Sequence, residues 1–125
     1  MEVQLFIFHR DLRIVDNNGL KECAKKKIPV LPVFIFTPEQ VVHNPVKSEN
    51  SIQFMLQSLK ELNTALRQKG TRLVMLFGDN VKMLESLKKE FNIVAVTENK
   101  DHTPYAKRRE MAIKKWCDSH KIEHN

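Results

Sequence analysis

"EVQLFIFHRDLRIVDNNGL", residues 2–20, decides the fold, because it passes from an apolar run to a charged one within a single step of the chain. In an extended chain Val3, Leu5 and Ile7 lie on one face, and Phe6 and Phe8 lie on the other. A β-rich run that is apolar on both faces predicts a strand at about 2–8 covered by helices on both sides. His9, Arg10, Asp11 and Arg13 then put four ionisable groups into five positions, as expected where a buried strand emerges at a polar edge. Asp16 or Asn17 is placed to cap a short helix with Leu20, Cys23 and Ala24 as its apolar stripe. Lys25, Lys26 and Lys27 close that helix at the end where its dipole favours cations.

The pattern repeats along the chain. "PVLPVFIF", 29–36, is a second buried strand, and "PEQVVHNPVKSEN", 38–50, is a loop of about a dozen residues rich in proline and asparagine, long enough to carry function. From Ser51 onward Ile52, Met55, Leu56, Leu59, Leu62 and Leu66 recur at three- and four-residue steps, predicting a long amphipathic helix that ends at a C-cap Gly70. "RLVMLF", 72–77, is a third strand. Asp79 caps a helix whose Val81, Leu84, Leu87 and Phe91 face inward. "NIVAVT", 92–97, is a fourth strand. Thr103 followed by Pro104 starts a last helix, with Tyr105, Ala112, Ile113 and Trp116 as its buried face. "KIEHN", 121–125, opens a fifth strand.

The order β-α-β-loop-α-β-α-β-α implies right-handed crossovers. The expected fold is α/β: a Rossmann-like, doubly wound parallel sheet of four to five strands, order 3-2-1-4-5, with helices on both faces. Ligands of such sheets bind beyond the carboxyl ends of the strands, where the strand order reverses. Here that point lies between strands one and four, so the two polar junctions "HRDLR" and "ENKDHTPY" face each other across it.

Composition narrows the classes. With 125 residues, 42% of them hydrophobic, the chain is read as one domain, 1–125. The net charge of +6 reads as solubilising surface, with a polyanionic partner as the alternative. Residues 100–121 hold seven Lys or Arg against three Asp or Glu, which reads as an outer solvated helix face rather than a phosphate-binding one. Two cysteines without CxxC spacing indicate neither a disulfide framework nor a zinc knuckle, so an intracellular location, cytoplasm or nucleus, is expected. There is no signal-peptide pattern, and no apolar run approaches the roughly 20 residues of a membrane span. Cys117, His120 and His124 have a metal-like spacing but read as a solvated tail, and no metal is expected. Glycine occurs only at 19, 70 and 78, never directly after strand one, which argues against a dinucleotide fingerprint or a P-loop. Nor is there a nucleophile elbow. Asp11 between Arg10 and Arg13 has two readings, an ion-paired scaffold or a ligand-facing group.

Three blocks of this sequence resemble the photolyase/cryptochrome family. "FHRDLRIVDNNGL" is similar to its N-terminal motif, an aromatic followed by R-R-D-L-R-x-x-D-N-x-x-L, with His9 in place of the first arginine. "NSIQFMLQSLKELNTALRQKGTRLVMLFGD" resembles the block in which a phenylalanine-leucine helix leads into a strand and a glycine turn. "NKDHTPYAKRRE" resembles the block with an asparagine after strand four and then T/E-P-Y-x-x-x-R-D/E. The blocks keep their order over nearly the whole chain.

The resemblance implies the N-terminal α/β domain of that family, which holds a light-harvesting antenna and packs on a C-terminal helical domain. The helical domain binds FAD and the pyrimidine dimer in DNA, and nothing in these 125 residues corresponds to it. The family activity is deoxyribodipyrimidine photolyase. This chain alone is expected to be inactive, to meet DNA only indirectly and to bind FAD only through the absent helical domain. Folate-binding members carry an Asn-Glu pair where this chain has Tyr105-Ala106. Deazaflavin-binding members carry an acidic residue matching Asp101, and an arginine where this chain has Ser51 or its neighbours. The implied antenna is thus a deazaflavin, a reduced folate, or none. Its candidate pocket is Arg10, Asp11, Phe36, Asp101 and Tyr105, beside a structural motif of Arg13, Asp16 and Asn17. A non-catalytic cryptochrome-like signalling domain and a stand-alone small-ligand or nucleotide-binding protein are the other readings.

Overall fold

The computed structural model describes residues 2–9, 17–37, 49–100 and 103–125. Strand β1 (Glu2–Phe8) lies in the middle of a five-stranded sheet and is buried from Val3 through Phe8, as its two apolar faces require. It is followed by α1 (Asn18–Lys25), β2 (Val30–Phe36), α2 (Glu49–Gln68), β3 (Val74–Phe77), α3 (Asn80–Glu90), β4 (Asn92–Glu98), α4 (Pro104–Ser119) and β5 (Glu123–His124). Every pairing is parallel, and the order is β3-β2-β1-β4-β5, as expected from the sequence. The order therefore reverses between β1 and β4.

Each face of the sheet has its own core. Val3, Leu5 and Ile7 meet Val33, Ile35 and Val96 under Leu84 and Leu87 of α3 and Ile113, Trp116 and Cys117 of α4. Phe6, Phe8 and Phe34 meet Cys23 of α1 and Leu59, Leu62 and Leu66 of α2. Burying each large aliphatic side chain stabilises the fold by about 1.5–3 kcal/mol. Gln4 is the polar exception inside β1. Its Nε2 donates to the carbonyls of Cys23 at 2.8 Å and Ile28 at 2.9 Å, fastening the end of α1 to the sheet.

Local chemistry ends the helices. Gly70 takes φ 87°, and the Thr71 N–H reaches back to the Leu66 carbonyl at 3.1 Å, the left-handed termination that glycine adopts without strain. At the end of α4 a non-glycine residue, Lys121, holds φ 57° while the Ile122 N–H donates to Cys117 O at 2.8 Å. The left-handed conformation costs roughly 1–2 kcal/mol there, and burial of Ile122 beside β5 offsets it.

Three expectations about helix faces are corrected. Ala24, Leu56 and Ala112 are exposed, Leu56 by 50%. On α4 the buried stripe is Ala106, Arg109, Ile113, Trp116 and Cys117, so an arginine faces inward where Ala112 was expected to. An alanine exposes too little apolar area to orient a helix against larger neighbours. The long helix begins at Glu49 rather than Ser51, and the loop expected at 38–50 otherwise falls at 38–48, outside the described residues. Strand β3 starts at Val74 rather than 72. Among the described residues no helix is long and apolar enough to cross a membrane.

Candidate functional site at the carboxyl edge of the sheet

Asn17 is buried and caps α1, its side chain accepting from the Leu20 N–H at 3.1 Å. Asn99, the residue after β4, donates from Nδ2 to the same Asn17 oxygen at 2.7 Å. The Asn99 Oδ1 in turn accepts from the Gly19 N–H at 3.0 Å. Only glycine permits this approach, since a Cβ at position 19 would lie 2.3 Å from Asn99 Oδ1 and 2.9 Å from Phe6 Cε2. The connections that follow β1 and β4 are thereby tied together at the point where strand order reverses.

Next to this clamp lies Glu98, the last residue of β4, with a side chain 3% exposed. One oxygen accepts from His9 Nε2 at 2.8 Å and the other from His124 Nε2 at 2.9 Å. An ionised carboxylate only accepts, so both Nε2 atoms carry hydrogens. Burial alone would push the Glu98 carboxyl up, but the hydrogen bonds from His124 and His9, with the positive charge of both rings, hold it at about 2. His9, which stands where the family motif has its first arginine, therefore binds a carboxylate that it shares with a second histidine, from β5.

On the far side of β1, α4 reaches toward β2. Thr103 caps α4 by accepting from the Ala106 N–H at 3.1 Å, with Pro104 at the start of the helix as expected. The Tyr105 hydroxyl is hydrogen-bonded to Thr37 Oγ1, just past β2, at 2.8 Å. One turn later the Arg109 guanidinium stands 5.7 Å from the centre of the Tyr105 ring. Arg109 is buried, and its Nε has no hydrogen-bond partner. Phe36 is half-buried on the opposite face of β2, edge-on to Phe34 with ring centres 4.8 Å apart.

Of the residues singled out in the sequence, Asn17 is the cap, and Phe36 and Tyr105 flank the end of β2 from opposite faces of the sheet. Arg10, Asp11, Arg13, Asp16 and Asp101 lie outside the described residues. Cys117, His120 and His124 have separate surroundings: Cys117 is buried in the core, His120 sits against Glu85 and Trp116, and His124 is bound to Glu98. Burial first, then the charges of Glu98 and Asp118, push the Cys117 thiol up to about 12. The sequence reading met Glu98 only within the polar junction after strand four, and Asn99 and Arg109 only as positions of the third family block, with no role for any of them. The signals available were a glutamate closing a strand apolar on both faces and an arginine at a core-facing helical position.

Comparison with known proteins places this geometry. A family model for DNA photolyase matches residues 4–125, and the chain belongs to the DNA photolyase family. Cryptochrome-1 of Spalax judaei is 33% identical over 116 residues, 93% of this chain and 20% of that protein. Cryptochrome DASH of Idiomarina loihiensis is 31% identical over 113 residues, 87% of this chain and 25% of that protein. An archaeal photolyase from Sulfolobus tokodaii, solved with two FAD molecules and implicating a novel light-harvesting cofactor, superposes with TM-score 0.88 at 40% identity. The match covers 99% of this chain and 28% of that one. The chain thus spans less than a third of each relative's length, and its fold is that of their N-terminal α/β domain.

Proposed function

We propose that this chain is the antenna domain of a light-driven, photolyase-type DNA repair flavoprotein, working together with a helical FAD-binding domain. Members of the family bind FAD and an antenna chromophore, and have a separate helical FAD domain and a DNA substrate. The observation that carries the reading is the convergence of β1, β2, β4 and the start of α4 on one polar edge at the strand-order reversal, where parallel sheets take ligands. The residues there fit a planar chromophore: a half-buried Phe36 ring, the Tyr105 ring, and the Tyr105 and Thr37 hydroxyls to orient polar groups. Arg10, Asp11 and Asp101 are proposed for the same pocket on the family resemblance alone, with Arg13, Asp16 and Asn17 as its structural motif.

When bound, the antenna, a deazaflavin or a reduced folate, absorbs light and passes the excitation to the flavin of the helical domain. The chain's own residues bind it, orient it and exclude water from it. None of them exchanges a proton or electron with DNA, so the isolated chain is proposed to be inactive in repair. The test is an absorption spectrum of the chain purified alone and after coexpression with a helical FAD domain of the family. A near-ultraviolet or blue band retained by the chain is expected in at least the second sample, and its absence from both overturns the reading.

A further inference from the structure

Arg109 is a buried arginine with no carboxylate against it among the described residues. It belongs to the inward stripe of α4 with Ala106, Ile113, Trp116 and Cys117, at a position where a packed helix ordinarily carries an apolar residue. It is 9% exposed, and its Nε is buried without a hydrogen-bond partner. Among the described residues its guanidinium makes no ion pair, and its contact is the Tyr105 ring. Arginine does not escape such a site by losing its proton. A ring contact returns only a fraction of what removing an ion from water costs. Glu98, the one buried carboxylate among the described residues, cannot serve, because His9 and His124 occupy its two oxygens.

The position of the charge is defined as well. Side chains on a helix lean toward its N-terminus, and the guanidinium does so, packing on Tyr105 one turn earlier. The Tyr105 hydroxyl is bonded to Thr37 at the end of β2, so the positive charge lies against the ring whose hydroxyl is proposed to orient the chromophore.

We infer that Arg109 is the anion receptor of this edge, taking a phosphate or carboxylate group that the bound ligand carries. The inference rests on the ligand-site reading above and adds to it the charge of the ligand. It also explains why α4 keeps an ion in its core-facing stripe: the counter-ion arrives with the ligand, and the guanidinium is held ready to meet two oxygens at once.

The experiment uses the full chain with three probes: riboflavin, FMN, which is the same ring carrying a phosphate, and inorganic phosphate against chloride at equal ionic strength. Flavin affinity is read by fluorescence, and unfolding temperature is recorded for the native chain, Arg109→Met and Arg109→Lys. FMN is expected to bind at least about tenfold tighter than riboflavin, the effect of one charge-assisted hydrogen bond. That ratio should fall to about one in Arg109→Met, with riboflavin binding retained, and stay above one in Arg109→Lys, which keeps the charge without the planar fork. Ligand-free Arg109→Met should unfold at a higher temperature than the native chain, because an unpaired buried ion has been removed. Stabilisation by inorganic phosphate, lost in Arg109→Met, would support the receptor and show that a free ion suffices. Equal binding of FMN and riboflavin by the native chain overturns the receptor and leaves the chromophore site standing. A ligand-free Arg109→Met less stable than the native chain also overturns it, marking the guanidinium as scaffold. If neither flavin binds, the inference falls, and the chromophore reading is decided separately by the absorbance of the coexpressed sample.

Discussion

Asn17 and Asn99 are 82 residues apart in the sequence and share a 2.7 Å hydrogen bond, from Asn99 Nδ2 to the oxygen that caps α1. A single amide thereby sets the spacing between the end of β4 and the start of α1, and with it the width of the edge at which the site lies.

Gly19→Ala tests that clamp. Replacing a helical glycine by alanine ordinarily gains up to about 1 kcal/mol. Here the new Cβ would lie 2.3 Å from Asn99 Oδ1, so the clamp must open and Asn17 loses a partner. A net loss of about 1–3 kcal/mol is expected in urea unfolding. The double variant with Asn99→Ala should be less destabilised than the sum of the two single changes.

Acid stability follows from Glu98. Its carboxyl is held at about 2 in the folded chain against 4.5 in the ordinary case, so the unfolded chain takes up the proton first as the pH falls. The contribution is complete above about pH 4.5 and is lost progressively as the pH drops to about 2. It amounts to at most roughly 3 kcal/mol. Glu98→Gln should lower stability at neutral pH and flatten the slope of unfolding free energy across that window, as measured by urea titrations at stepped pH.

Neither thiol should react in the folded state. Burial raises the Cys23 thiol against a smaller opposing effect of its hydrogen bond with Thr97, and Cys117 is pushed up to about 12. Both side chains are buried. Labelling by a thiol-disulfide reagent at neutral pH should proceed only through unfolding, with both sulfurs reacting rapidly once denaturant is added.

Tyr105→Phe removes one hydroxyl from the pair that joins α4 to the end of β2 and keeps the ring under which Arg109 packs. A loss of about 0.5–1.5 kcal/mol in thermal or urea unfolding is expected, with the fold retained.

The architecture was legible because its signals are local. β1 is apolar on both faces over consecutive residues, and Asn17, Asp79 and Thr103 each accept from a backbone N–H three residues ahead, as the sequence-based reading required for the last two and allowed for the first. Helix orientation was less legible. On α4 the choice between Ala112 and Arg109 depends on what lies opposite the helix, which spacing along the chain does not reveal. The site was legible in place but not in its partners. His9 and Glu98 are 89 residues apart, and an isolated charge at a strand end reads as solvated until the fold brings two histidines onto it.

The outer strand of the sheet has a practical consequence. Among the described residues β3 pairs with β2 alone, and Met75 and Phe77 on it are 50% and 58% exposed, with Leu56 of α2 also half open. A four-residue strand with one free edge and two bare apolar side chains is a natural adhesive. In concentrated samples this strip is where copies of the chain are expected to adhere, and Phe77→Lys is expected to reduce that tendency.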